Sequence, residues 1–204
     1  MVDPHQHWES VYRHKAVDQV SWFQQHAASS LRLIKACADK DAHIIDVGGG
    51  ASVLVDNLLA AGYRNLTVLD LSESALAASR ARLGERAQSV QWIAGDITRA
   101  DLQAARYDVW HDRAVFHFLT DPAERARYIA QVIKSVKPGG HVIVATFGPG
   151  GPLQCSGLDV VRYAPDALHA EFGAPFQLLG HETEIHHTPA GKEQEFVYCY
   201  CVRT

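Results

Sequence analysis

The chain has 204 residues, 47% of them hydrophobic and 21% charged, with a formal net charge of -4 at pH 7 and a pI near 6.3. This balance offers no broad basic face for a phosphate backbone, so nucleic acid is not an expected partner. No apolar stretch approaches membrane-spanning length, and Asp3, His5 and His7 stand where a secretory signal would be basic and then apolar. These features predict one cytoplasmic domain over residues 1–204, with no membrane partner.

The first half of the chain predicts two helices and then alternating strands and helices. The first helices are expected over residues 8–14 and 27–38. From His43 onward, short runs rich in Val and Ile alternate with helical patterns, which is typical of βα units feeding a parallel sheet with helices on both faces. The predicted strands cover residues 43–47, 66–71, 90–94, 107–111 and 141–147, and the predicted helices cover residues 52–61, 72–83 and 121–136.

The end of the chain breaks this alternation. A loop rich in Gly and Pro is expected over residues 148–157, followed by a short helix over 165–172. Two further strands are predicted over residues 176–186 and 195–202, joined by a turn at 188–191. A turn this short joins antiparallel neighbours, so the sheet is expected to end in a hairpin.

A glycine loop follows the first predicted strand and opens a helix, at Asp46-Val47-Gly48-Gly49-Gly50. In open α/β sheets such a loop lies at the ligand crevice. The main competitor is a dinucleotide enzyme, whose fingerprint needs a third small residue where this chain has Val53. The carboxylate of Asp46 also suits a cationic amino-acid ligand better than a diphosphate, which it would repel.

Acidic residues stand at the ends of three successive predicted strands, at Asp46, Asp70 and Asp96. Asp70 falls about twenty residues after the glycine loop, where an acid accepts hydrogen bonds from ribose hydroxyls. An acid at one strand end is more often a turn former. Three in this order, followed by a closing hairpin, favour a nucleoside site.

This arrangement resembles the class I S-adenosylmethionine-dependent methyltransferases over nearly the whole chain. The resemblance implies a Rossmann-like, seven-stranded, mostly parallel sheet whose last strand is antiparallel, with S-adenosylmethionine as the cofactor. It also implies that the glycine loop faces the methionine part, that Asp70 binds the ribose, and that Asp96 with Ile97 frames the adenine. The full set of expected cofactor-binding residues is Asp46, Gly48, Gly49, Gly50, Asp70, Leu71, Asp96, Ile97 and Trp22.

The segment after the fourth strand, Asp112-Arg113-Ala114 ahead of a helix start at Asp121-Pro122, resembles the thiopurine S-methyltransferase branch. In that group an aromatic amino-terminal segment folds over the cofactor, and Ser21-Trp22-Phe23-Gln24-Gln25 is similar in place and kind. Residues 1–40 are therefore expected to form a helical lid.

Three residues of this segment, Asp112, Arg113 and His117, are the candidate catalytic residues. Arg113 is the cation that would lower the pKa of an acceptor thiol, unless it forms a structural ion pair. His117 is the candidate base, unless it is a packed core histidine.

The leading functional hypothesis is methyl transfer to a small soft nucleophile, such as a thiol or a related chalcogen compound. One alternative is protein lysine methylation, because Trp8-Glu9-Ser10-Val11-Tyr12 resembles a segment of small lysine methyltransferases. Such enzymes need an open groove, so a closed pocket beneath Trp22 would count against this alternative. Another is a methyltransferase-like module that only binds.

The twelve histidines lack the spacing of a zinc site, so no metal is expected.

Overall fold

The computed structural model describes residues 3–204, so Met1 and Val2 of the expected lid segment lie outside the described part. The helices are α1 (Pro4–His14), α2 (Ala28–Cys37), α3 (Leu54–Ala60), α4 (Glu73–Leu83), α5 (Pro122–Ser135) and α6 (Pro165–Phe172). The strands are β1 (His43–Val47), β2 (Asn65–Asp70), β3 (Val90–Ala94), β4 (Tyr107–Arg113), β5 (Val136–Phe147), β6 (Gln154–Cys155), β7 (Leu158–Asp159), β8 (Phe176–His187) and β9 (Glu193–Arg203).

Seven strands form one sheet in the order β3-β2-β1-β4-β5-β9-β8. The first five pair in parallel, and β9 runs antiparallel between β5 and β8. The predicted Rossmann-like, mostly parallel sheet with a last antiparallel strand is thus confirmed. Within residues 3–204, no helix is both long and apolar enough to cross a membrane.

Hydrophobic packing covers both faces of the sheet. Neighbouring residues of β1 point to opposite sides, so that Ile44 packs with α2, α3 and α4 while Ile45 packs with α5 and α6. Both side chains are almost completely buried. This double burial explains why the parallel strands read as continuous apolar runs.

Local capping fixes the start of two helices. Asp121 is the N-cap of α5, where its side chain accepts a hydrogen bond from the backbone N–H of Ala123, and Pro122 is the first helical residue. This start was predicted from the sequence. The hydroxyl of Ser72 caps α4 by accepting from the N–H of Ala75 at 3.1 Å.

Four segments differ clearly from the sequence-based prediction, and the first is α1, which begins at Pro4 instead of residue 8. Residues 137–140, which lie between the predicted helix over 121–136 and the predicted strand over 141–147, belong to β5, whose first residue Val136 pairs with Tyr107 before the register jumps to Val109 and His141. The expected loop at 148–157 contributes β6, which forms a small hairpin with β7. Strand β4 runs two residues further than expected, so Asp112 and Arg113 belong to its carboxyl end.

Candidate functional site

The glycine loop after β1 lies at the carboxyl edge of the sheet, where the strand order reverses between β1 and β4. Gly48 has a φ of 69°, a conformation that favours glycine, and its N–H donates to the carbonyl of Leu69 in β2 at 2.7 Å. The loop is therefore held against β2 and faces the crevice where open α/β sheets bind ligands.

The next two glycines allow two acidic side chains to lie against the loop. A Cβ at Gly49 would collide with the carboxylate of Asp46 and would stand 2.9 Å from Val68. A Cβ at Gly50 would collide with the carboxylate of Asp70 and would stand 2.9 Å from the Cβ of Ala75. Glycine is therefore required here by the close approach of the acids to the backbone.

Three buried carboxylates surround this crevice: those of Asp46, Asp70 and Glu9, which are 4%, 7% and 8% exposed. Burial, together with the negative charges of Asp46 and Glu9, raises the pKa of Asp70 to about 7, while hydrogen bonds from the N–H groups of Ser72 and Gly50 oppose this shift. Like charges this close favour a cation among them. The crevice therefore suits the positively charged sulfonium and ammonium groups of S-adenosylmethionine, and it would repel a diphosphate.

Asp46 has one carboxylate oxygen available to such a cation. Its Oδ1 lies 2.7 Å from Nδ1 of His111, whereas its buried Oδ2 has no hydrogen-bond partner among the described residues. A buried polar atom without a partner is costly and is a place to expect a ligand. An ammonium group would satisfy this oxygen, and the ribose hydroxyls would pair with Asp70.

The third predicted acid has a local partner. The Oδ1 of Asp96 accepts from both the N–H and the hydroxyl of Thr98 at 2.8 Å, which closes a turn after β3. Its side chain is 41% exposed, and Ile97 beside it is buried. Leu71 is partly buried next to Asp70. These residues stand at the strand ends where the adenosine part was expected, and their contact with it stays a prediction.

The N-terminal segment, residues 3–27, covers the crevice. Trp22 donates through Nε1 to the hydroxyl of Tyr12 at 3.2 Å, and its ring meets Trp8 edge to face at 5.5 Å. A cavity of about 50 Å³ lies beneath, lined by Trp22, Asp46 and residues of the glycine loop. Ligand pockets usually measure roughly 300–1,000 Å³, so this cavity is smaller than a usual ligand pocket.

Glu9 connects this segment to the cofactor crevice. Its Oε1 accepts from the hydroxyl of Ser72 and the N–H of Ser74, both at 3.1 Å, and its Oε2 accepts from the hydroxyl of Ser74 at 2.5 Å. These bonds, the one from the Ser74 hydroxyl above all, lower the pKa of Glu9 to about 2 against the effect of burial. The anion sits at the N-terminus of α4, whose dipole favours negative charge.

Arg113 projects from the end of β4 into the same cavity and has a partner for each nitrogen group. Its Nε donates to the hydroxyl of Tyr198 at 3.1 Å, one terminal nitrogen to Glu184 at 3.1 Å, and the other to the carbonyl of Trp22 at 3.4 Å. The guanidinium also stacks 4.0 Å from the ring centre of Phe196. Arg113 therefore forms the structural ion pair that the sequence analysis gave as an alternative, and its partner is Glu184.

The other two candidate catalytic residues face the core. The carboxylate of Asp112 accepts from the N–H groups of Val115 and Phe116 and from the hydroxyl of Tyr128, at 2.9, 3.1 and 2.6 Å. Asp112 is completely buried, and burial raises its pKa to about 6. This geometry gives Asp112 a structural role at the turn after β4.

His117 has the environment of a packed core histidine. Its Nδ1 accepts from the N–H of Phe147 at 3.2 Å, and its ring packs against the ring of Phe147, tilted by 51° with the centroids 4.6 Å apart. Burial, with the nearby charge of Arg113, lowers its pKa to about 3. Because Nδ1 already accepts a hydrogen bond, Nε2 carries the proton, so His117 does not fit the role of a base.

Several residues of the crevice were not predicted as site residues from the sequence. They are Glu9, Tyr12, Ser30, His111, Glu184 and Tyr198. His111 could have been found, because it stands on β4 directly beside β1 and its partner there is Asp46. The others come from distant parts of the chain, and no spacing connects them to the glycine loop. Within residues 3–204, no group of three or more His, Cys, Asp or Glu could hold a metal ion.

The sequence of the central part matches a known family. Residues 44–140 match the family described as "Methyltransferase domain". A ubiquinone biosynthesis O-methyltransferase from Aromatoleum aromaticum is 32% identical over 104 residues, which is 50% of this chain and 43% of that protein. An eEF1A lysine and N-terminal methyltransferase from Danio rerio is 25% identical over 143 residues, 69% of this chain and 21% of that protein. The chain thus spans less than half the length of either relative.

Solved structures share the fold over nearly the whole chain. The structure of Burkholderia thailandensis 1,6-didemethyltoxoflavin-N1-methyltransferase with bound 1,6-didemethyltoxoflavin and S-adenosylhomocysteine has a TM-score of 0.70, with 20% identity, and covers 100% of this chain and 92% of that one. A structure from work on the conversion of a disulfide bond into a thioacetal group during echinomycin biosynthesis has a TM-score of 0.78, with 16% identity, covering 98% and 92%. The match over residues 44–140, the sheet order and these solved structures together give the chain the fold of class I S-adenosylmethionine-dependent methyltransferases.

Proposed function

We propose that the protein transfers the methyl group of S-adenosylmethionine to a small molecule that binds beneath the N-terminal segment. The observation that supports this most is the covered cavity, because Trp22 and Arg113 line it together with Asp46 of the cofactor crevice. A bound sulfonium is already activated, so the protein mainly has to align the acceptor and exclude water. A covered pocket next to the cofactor crevice can align the acceptor and exclude water.

The aromatic rings that cover the cavity favour a small acceptor over a protein side chain. Trp22, Tyr12 and Trp8 pack on one another, and Trp8 also meets Phe118 edge to face at 5.1 Å. A lysine on a protein surface needs an open groove, and these rings stand where such a groove would lie. The lysine methyltransferase relative therefore supports the reaction type and not its acceptor.

We infer further that the acceptor is a soft nucleophile that reacts as an anion, a thiol first of all. The guanidinium of Arg113 is 9% exposed, and its anionic partner is the carboxylate of Glu184, itself 17% exposed. An acceptor thiolate would replace the carboxylate of Glu184 as the anion that pairs with Arg113. The local resemblance of Asp112-Arg113-Ala114 to the thiopurine S-methyltransferase branch agrees with this acceptor class.

The proposal is tested with purified protein, S-adenosylmethionine and a panel of small thiols, selenols, phenols, amines and lysine peptides. We expect methylation of at least one small thiol or selenol and no methylation of the peptides. Methylation of peptides alone would contradict the small-molecule proposal. Cofactor binding without methylation of any acceptor would favour the binding-only alternative.

We predict that Arg113→Met lowers turnover of a thiol about tenfold near pH 7 and leaves cofactor affinity nearly unchanged. Near pH 7 an unperturbed thiol is only a few per cent thiolate, so a cation that favours the anion matters most there. Above roughly pH 9 the thiol ionises without help, and the variant should recover part of its rate. The measurement is a rate against pH profile for both proteins.

The matched control is Arg32→Met, because Arg32 also pairs with a glutamate of β8, Glu182, but is exposed. We expect its profile to match the native one. The double variant Arg113→Met with Glu184→Gln tests whether an unpaired buried carboxylate causes the defect. Superimposable native and Arg113→Met profiles would make Arg113 structural and remove this support for a thiol.

We propose that the N-terminal segment acts as a lid held closed by Glu9, and we predict that Glu9→Ala speeds cofactor binding and release about tenfold. The variant loses the hydrogen bonds to Ser72 and Ser74, while α1 keeps its aromatic contacts. Stopped-flow mixing with S-adenosylmethionine, followed by tryptophan fluorescence, measures both rates. The control is Glu73→Ala, an exposed glutamate at the same helix end. Equal rates in all three proteins would show that Glu9 does not hold a lid.

A further inference from the structure

Three buried side chains form a hydrogen-bonded chain that ends at the acceptor cavity. Ser30 of α2 lies with its hydroxyl oxygen 2.8 Å from Nε2 of His111, and Nδ1 of His111 lies 2.7 Å from Oδ1 of Asp46. Their exposed fractions are 1%, 2% and 4%. All three residues line the cavity beneath Trp22.

The chemistry of the groups fixes the direction of the hydrogen bonds. A carboxylate only accepts, so Nδ1 of His111 carries the proton and donates to Asp46. Nε2 of the neutral ring is then an acceptor, and the hydroxyl of Ser30 donates to it. One lone pair of Ser30 then accepts from the hydroxyl of Tyr198, whose oxygen lies 3.4 Å away, and the other remains free to accept.

We propose that Ser30, His111 and Asp46 form a relay that takes the proton from a methyl acceptor that arrives protonated. The proposal rests on the proposed function and extends it, because it adds neutral thiols and hydroxyl compounds to the anions that Arg113 favours. Ser30 is the group that touches the acceptor, and His111 and Asp46 act through it as positioning residues.

The proton and the electrons balance in one transfer. The bond between the acceptor atom and its hydrogen breaks, its proton passes to the oxygen of Ser30, and the proton of Ser30 passes to Nε2 of His111. The freed electron pair forms the bond to the methyl carbon, whose bond to sulfur breaks with its electrons left on sulfur. The imidazolium later returns its proton to solvent after the products leave.

Charged groups lie on several sides of His111. Asp46 on β1 contacts Nδ1 directly, and the negative charge of Asp112, its neighbour on β4, lies close enough to interact with the ring. The opposing charge is Arg113, which reaches the relay through the hydroxyl of Tyr198 on β9. Arg113 is balanced by Glu184 of β8. Asp46 therefore holds the ring with Nε2 towards Ser30, in the way that a buried aspartate orients a catalytic histidine.

The test compares two thiols of similar shape, one with a pKa about two units below the assay pH and one with a pKa about one unit above it. We expect Ser30→Ala to lower the single-turnover rate about 100-fold on the protonated thiol and less than about threefold on the ionised one. Cofactor affinity, measured by calorimetry, should stay unchanged, because Asp46 and His111 keep their hydrogen bond. An equal loss on both thiols would mean that Ser30 only packs, and would overturn the relay.

Two further measurements keep the proposal testable. His141→Asn replaces a half-buried histidine at the other end of the sheet and should leave both rates unchanged. Nitrogen-15 spectra of histidine-labelled protein, assigned with His111→Asn, should show the proton of His111 on Nδ1 and an unprotonated Nε2, as the two hydrogen bonds require. A proton on Nε2, or on both nitrogens, would overturn the relay even if no acceptor is turned over. Absence of turnover by the native protein would instead contradict the proposed function.

Discussion

Asp70→Ala is expected to weaken S-adenosylmethionine binding about ten- to a hundred-fold, because the ribose hydroxyls lose a charged acceptor in a buried crevice. Hydrogen bonds to charged groups contribute about 1.5 to 3 kcal/mol, which corresponds to this range of affinity. The carboxylate of Asp70 also accepts from the N–H of Ser72 at 2.8 Å, so the variant must first be shown to fold. Calorimetry with the native protein and the variant gives the comparison.

The same residue gives the affinity a dependence on pH. The pKa of Asp70 is about 7, so a large part of this carboxyl is protonated at and below neutral pH. The cationic cofactor and its ribose hydroxyls favour the carboxylate, so binding below pH 7 releases a proton. Affinity should therefore rise with pH through about 7 and fall by up to about tenfold for each unit below it.

Two variants isolate this effect. Asp70→Asn keeps the shape of the side chain and should bind more weakly than the native protein, with little pH dependence near 7. The control is Asp108→Asn, which changes an acid near the start of β4, at the edge of the sheet opposite to the crevice. Asp108 pairs with Lys137, and this variant should keep the pH profile of the native protein. A flat native profile, or native affinity in Asp70→Ala, would remove Asp70 from the cofactor site.

Gly50→Ala is expected to abolish measurable cofactor binding and to destabilise the fold. The new methyl group would collide with the carboxylate of Asp70 and press against Ala75 on α4, and both neighbours are buried. Overpacking of this kind typically costs about 1–3 kcal/mol of the free energy of unfolding. It also displaces the carboxylate on which the ribose contact depends. Thermal unfolding and calorimetry measure the two effects.

Gly95→Ala is the matched control, because a Cβ at Gly95 meets nothing within 4 Å. We expect it to unfold at the native temperature. If Gly50→Ala bound the cofactor with native affinity, the acid would not need its close approach to the glycine loop, and the assignment of this loop would be wrong.

The sheet could be predicted because its signals are local. Each parallel strand is a short apolar run covered on both faces, and the hairpin follows from the short turn before β9. The prediction begins the fifth strand at residue 141 because Pro138-Gly139-Gly140 is typical of a chain segment that ends a helix. In the structure, Gly139 adopts a φ of 76° inside an irregular start of β5. The sequence pattern does not show that the neighbouring strand tolerates this irregularity.

The residues of the site likewise fall into two groups, those that the sequence predicts and those that only the packing of the fold brings to the crevice. Asp46 and Asp70 follow directly from strand ends, and the structure brings both against the glycine loop. Asp112 and His117 share a segment with Arg113, but their side chains point to the core, because residues next to one another on a strand or a tight turn face different sides. Glu9 and Ser30 reach the crevice from helices that precede the sheet, and only the packing of α1 and α2 places them there.

The most direct test of the central claim, that this acidic crevice binds S-adenosylmethionine, is a calorimetric titration of the native protein with that cofactor, repeated with a nicotinamide dinucleotide. We predict saturable binding of one S-adenosylmethionine per chain and no binding of the dinucleotide, whose diphosphate would meet the carboxylates of Glu9, Asp46 and Asp70. Binding of the dinucleotide in place of S-adenosylmethionine, or no heat with S-adenosylmethionine, would contradict the claim.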